Sequence, residues 1–230
     1  MIRSVVLALA LWTVAGDPAA AVLQRYEAEI AQQPENLVLA SEYRQTAIAA
    51  RDFDRPIKFF EKLGKLKNSG PNVQISLALA LVDKAPVVGE VRRAYVGFDA
   101  ISAVNRAIAQ APTVLAFYVR GRINLGYDKL IFHRTDKGVA DLERALTLVT
   151  PATPLPMIAR VYQSLGDGYY KLDELAKARQ AWTRGLEIAP DDHELRSRVE
   201  QGEAVGRLVH DALSPSRRAD TNVTPALLER

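Results

Sequence analysis

Three histidines, His133, His193 and His210, are the side chains best suited to bind a metal or carry a proton at neutral pH, and they lie far apart along the chain. None falls in the His-Glu-x-x-His spacing that puts two imidazoles on one helix face. No Gly-x-x-x-x-Gly-Lys-Ser/Thr phosphate loop, Gly-x-Gly-x-x-Gly turn or Gly-x-Ser-x-Gly elbow occurs. Cysteine is absent, which removes disulfides, thiolate metal sites, a thiol nucleophile and a lipid-modified cysteine together. The run LGDGYY at 165–170 has two close glycines, but it lies inside a helical period where Gly166 and Gly168 serve close helix packing. Asp191 and Asp192 read as a helix start, not as an acid and base couple. Asn222-Val223-Thr224 fits a glycosylation pattern that chance explains. No catalytic residue, metal site or cofactor is expected.

The elements that would position a binding surface are clearer. In ARVYQSLGDGYYKLDELAKARQAWTRGLEIAPDD, from Ala159 to Asp192, Tyr162, Leu165, Tyr169 and Leu172 recur at spacings of three and four and share a helix face. Leu175, Ala178, Trp182, Gly185 and Leu186 do the same in a second helix. A polar turn around Leu172 to Glu174 joins the two, and Pro190 ends the pair before Asp191 and Asp192 can cap the next helix. Gly166, Ala178 and Gly185 permit close approach, and Tyr162, Tyr169 and Trp182 fill the space beside them.

This segment resembles a tetratricopeptide repeat over 159–192. Leu165 and Gly166 match the family's Leu-Gly pair, Tyr169 its tyrosine, Ala178 its small residue, Trp182 its large aromatic and Pro190 its terminal proline. Gly185 stands where the family usually has alanine. One repeat cannot bury its own apolar faces, so at least about three are needed. Looser matches run over 37–70, where Phe60 takes the aromatic site and Pro56 must sit in the first turn of its helix. Others run over 71–112, with an insertion around Pro86 to Arg93, and 114–150, with one over Lys129 to Asp136. An N-terminal helix over 17–36, a Pro-rich linker over 151–158, a capping helix over 193–213 and a mobile tail over 214–230 complete the expected plan. The resemblance implies an all-α, right-handed solenoid of antiparallel helix pairs.

Arg3, the apolar run Val5 to Ala15, and the small residues Ala15 and Gly16 have the three parts of a secretory signal, expected over 1–16. The run is too short for a stable membrane span, which needs about 20 residues. A first helix retained in the cytoplasm is the alternative. A net charge of +3, from 30 basic and 27 acidic residues mixed along the chain, announces no nucleic-acid footprint.

What remains is surface. The resemblance implies a concave groove lined by the first helix of each repeat, where a protein or peptide partner binds. Carried across position by position, the candidates are Ser41 and Gln45, then Tyr118 and Arg122, then Gln163, Asp167, Tyr170 and Lys171. The family's peptide clamp needs lysine and asparagine where Ser41 and Gln45 stand, so that clamp is not expected. The insertion Tyr127 to Lys137 mixes aliphatic, aromatic and basic residues. It either adds Phe132 and Arg134 to a binding patch or tucks Leu130, Ile131 and Phe132 under the loop as a satellite core. The expected role is a non-catalytic scaffold, adaptor or assembly factor of the bacterial periplasm or envelope. The competing reading is a small-molecule binder or enzyme accessory subunit that uses the groove as a pocket.

Overall fold

The computed structural model describes residues 18–67, 69–127, 133–201, 204–214 and 225–228. The signal-like segment 1–16, Phe132 and most of the expected 214–230 tail therefore lie outside the described residues. The helices are α1 (Pro18–Gln32), α2 (Leu37–Ala49), α3 (Asp54–Leu63), α4 (Pro71–Lys84), α5 (Glu90–Gln110), α6 (Val114–Gly126), α7 (Thr135–Thr147), α8 (Leu155–Lys171), α9 (Leu175–Ile188), α10 (His193–Glu200), α11 (Val205–Leu213) and α12 (Pro225–Leu228). A 3₁₀ turn, Ala85–Val87, follows α4, and no strand occurs among the described residues.

The fold is an all-α solenoid of antiparallel helix pairs. α2/α3, α4/α5, α6/α7 and α8/α9 form the pairs, and each second helix packs on the first helix of the next pair. The first helices α2, α4, α6 and α8 thereby touch in sequence and make one row, the inner one. Local chemistry sets the starts. Asn36, Thr113 and Asp192 cap α2, α6 and α10 by accepting from backbone N–H groups that have no partner in the first turn. Proline opens α4 and α8, where its missing N–H costs nothing.

Small residues set the spacing between helices. A Cβ on Gly121 would stand 3.0 Å from the Gly138 carbonyl oxygen, and one on Gly138 equally 3.0 Å from that of Gly121, so α6 and α7 touch backbone to backbone. At Gly166 a Cβ would fall 2.4 Å from the Trp182 indole. That indole is buried, as are Tyr43, Phe60 and Tyr118 in the earlier pairs.

Four boundaries differ from the sequence expectation. The insertion at Pro86 to Arg93 is largely ordered as helix: the 3₁₀ turn takes Pro86, Gly89 is extended at the cap, and α5 starts at Glu90, well ahead of Gly97. The 151–158 linker is shorter, because Pro156 falls in the first turn of α8, which starts at Leu155. The capping helix 193–213 is in two pieces, α10 ending at Glu200 and α11 starting at Val205. Within the expected tail, α12 is a helical turn packed on the body, with Leu227 only 6% exposed.

Candidate binding groove

Inner-row positions are set by the period of the first helices, and most of the candidates find partners inside the molecule. Ser41 and Tyr118 are buried, and Gln45 is half-buried on α2. Gln163 donates from Nε2 to Glu194 Oε2 of α10 at 2.6 Å, and its carbonyl oxygen accepts from Trp182 Nε1 at 3.2 Å. Asp167 is 1% exposed and accepts from three donors: Trp182 Nε1 at 3.0 Å, Arg198 Nε at 2.7 Å and Arg198 Nη2 at 3.0 Å. A buried carboxylate needs such compensation, and the two-pronged guanidinium supplies it. Burial works against the charge on Arg198, but Asp167 outweighs it and holds the guanidinium above its ordinary pKa. Asp167 and Gln163 thus tie α8 to α9 and α10.

Other candidates meet the chain's own carboxyl-terminal segment. Arg122 Nη2 donates to the Ala212 carbonyl oxygen of α11 at 2.9 Å. The Tyr170 hydroxyl lies 2.7 Å from where a Cβ on Gly206 would stand, and its ring is 6.1 Å from that of Trp182. Val205, Val209 and Leu213 of α11 are buried, and α11 lies against α6 and α8. Farther along, α12 packs on α2 and α8, the first and last members of the inner row. The groove already holds a helical segment, supplied by the same chain. Lys171 donates to the Leu125 carbonyl oxygen at 2.9 Å, bracing α8 against α6.

The two parts of this occupant differ in how firmly they are held. α11 brings three buried apolar side chains and the Arg122 contact. α12 is four residues long, and burying Leu227 contributes about 1.5 to 3 kcal/mol, with less from half-buried Leu228. A single turn has no helical stability of its own, so α12 is the more weakly held part.

Of the insert-loop candidates, Phe132 lies outside the described residues. Arg134 is half-buried, donates from Nε to Asn124 Oδ1 at 2.9 Å and lies over the Phe98 ring at 5.6 Å. Asn124 in turn donates to Asp141 at 3.1 Å, and Asp141 also accepts from Arg120 at 2.6 and 3.0 Å, so Arg134 extends a polar network between α6 and α7.

Two surfaces escaped the sequence reading. Val91, Tyr95 and Phe98 are exposed along one face of the early turns of α5, with Val87 beside them. Their spacing of four and three was legible, but Val91 fell in the stretch read as an insertion, which separated it from Tyr95 and Phe98. An open concavity of about 430 Å³ is lined by Glu27, Asp52, Asp54, Arg55, Lys58, Phe59 and Lys62. Its acids and bases balance, and Glu27 is already engaged by Arg55 at 2.7 and 3.1 Å and by Tyr43 at 2.7 Å. Among the described residues no group of acidic or histidine side chains is placed to hold a metal ion, and no helix is long and apolar enough to cross a membrane.

The comparisons agree with this architecture. The family model described as tetratricopeptide repeat matches residues 159–192, the α8/α9 pair with its flanking turns. A thermophilic TPR protein of Thermus thermophilus has a similar fold, with a TM-score of 0.60 at 19% identity over 80% of this chain and 89% of that one. MamA is similar with a TM-score of 0.51 at 20% identity, over 75% of this chain and 89% of that one. No curated protein matches the sequence. Residues 159–192 thus match a tetratricopeptide repeat, and the chain as a whole has the fold of a tetratricopeptide repeat solenoid.

Proposed function

We propose that this protein is a non-catalytic adaptor or assembly factor of the bacterial cell envelope that holds a protein partner on its inner row of helices. The observation that carries the reading is the occupied groove: α11 and α12 lie against α2, α6 and α8, so this face accepts a helical segment. Arg122 and Tyr170, which the resemblance placed in the groove, are among the contacts to that segment. The insert loop with Phe132 and Arg134 adds a second contact region at the α6/α7 end. Placement in the envelope is supported by Arg3, the apolar run Val5 to Ala15 and the small residues after it.

A photo-crosslinking residue placed at Gln45 on the inner row and, as a control, at exposed Lys177 tests the groove in cells of the native host. The same partner protein is expected at Gln45 and not at Lys177; no adduct at Gln45, or equal adducts at both, overturns the proposal. Mass spectrometry of the mature amino terminus tests export, and an intact Met1 or Ile2 overturns the envelope placement.

A further inference from the structure

The chain's own last helical turn indicates what the groove accepts. α12 packs on both α2 and α8, with Leu227 buried in the shared core and Leu228 packed against it. We propose that the place between α2 and α8 is a docking site for a short helical turn bearing two adjacent leucines, filled in the free protein by Leu227 and Leu228 and taken over by a like segment of the partner. The proposal rests on the inner row being the partner-binding face.

Three observations favour an exchangeable occupant here. α12 is a single turn, and an isolated turn has no helical stability of its own, so it is ordered only by what it touches. Its neighbour α11 is anchored separately by Arg122 to the Ala212 carbonyl and by three buried side chains, so vacating the α12 site leaves the rest of the groove built. The turn belongs to the same chain as α11, which keeps it at high effective concentration. An external ligand therefore has to compete with a tethered copy of its own chemistry, and its apparent affinity falls by the fraction of time the site is vacant.

The test uses the full chain, the full chain carrying Leu227→Asp with Leu228→Asp, and a fluorescein-labelled synthetic peptide of residues 221–230 followed by anisotropy. The double variant is expected to bind the peptide at least tenfold more tightly than the unaltered chain, and a peptide with both leucines changed to aspartate to bind neither. Equal peptide affinity for the two chains, or none for either, overturns the proposal. Leu227→Ala, checked for retained helicity by circular dichroism, is expected to give a smaller gain and replaces the double variant if that one does not fold. Light scattering at the same concentrations is expected to give monomers. A dimer abolished by the double substitution would assign the turn to a second copy and overturn occupancy within one chain. Crosslinking at Gln45 without any gain of peptide binding removes this site and leaves the scaffold reading; gain of peptide binding without any crosslinked partner does the reverse.

Discussion

Asp167 joins α8, α9 and α10 at one buried point, because its carboxylate accepts from both the indole N–H of Trp182 and the guanidinium of Arg198. Removing one member of a buried ion pair leaves the other charge without compensation, which costs about 3 to 5 kcal/mol. Asp167→Ala is therefore expected to lower stability by that amount in urea unfolding, and a loss under about 1 kcal/mol would contradict the assignment. Gly166 is under a steric constraint of similar weight. A methyl there would stand 2.4 Å from Trp182, so Gly166→Ala is expected to cost about 1 to 3 kcal/mol by the same measurement, despite alanine's better helix propensity. Glu27 supplies a pH signature. Partial burial opposes its charge, but hydrogen bonds from Arg55 and Tyr43 prevail and hold the carboxyl below its ordinary value of 4.5. A depressed carboxylate contributes stability that is present above the unfolded-state pKa and is lost as pH falls through the lower folded-state value. Urea midpoints measured from about pH 6 down to about pH 3 should fall less steeply for Glu27→Gln than for the unaltered chain. The glycine constraint was legible in the sequence, since a glycine deep inside a helical period, in a repeat with a tryptophan on the facing helix, implies close packing. The role of Asp167 was not: periodicity puts it on the inner face, and only the fold brings Arg198 to it.

At the scale of elements, equivalent positions in different repeats solve the same turn in the same way. Arg51 after α2 and Asp173 after α8 both adopt left-handed backbone, with φ of 56° and 59°, in the turn to the second helix of each pair. Left-handed backbone costs a non-glycine residue about 1 to 2 kcal/mol, and glycine's greater freedom when unfolded returns about 0.5 to 1. Arg51 is exposed, so Arg51→Gly is expected to raise stability by up to about 1 kcal/mol in thermal unfolding. A decrease would mean that the Arg51 side chain matters to the turn. The helix pairs themselves were readable where the apolar period ran unbroken, as in α8 and α9. The early turns of α5 were not, because Pro86 and Gly89 signal interruption and the chain resumes a helix immediately after them. The split between α10 and α11 was missed for the opposite reason: the apolar period continues through Gln201, while the helix does not.

For the molecule as a whole, α12 changes what kind of array this is. A linear solenoid has contacts only between neighbouring repeats, so a disturbance at one end fades before it reaches the other. Here α12 touches α2 and α8 at once, joining the first and last members of the inner row through residues nearly the whole chain apart. No local pattern encodes such a contact; Pro225 to Leu228 reads as tail because nothing near it in sequence shares its face. The consequence is measurable by native-state hydrogen exchange, which reports how much free energy opens each helix. Changing Leu227 to aspartate should speed exchange of the α2 amides about tenfold, an effect of about 1.4 kcal/mol, although Leu227 and α2 stand at opposite ends of the sequence. Exchange in α3, which α12 does not join to α8, should change less. If the substitution accelerates only α11 and leaves α2 untouched, the repeats behave as an open array and α12 does not couple its ends.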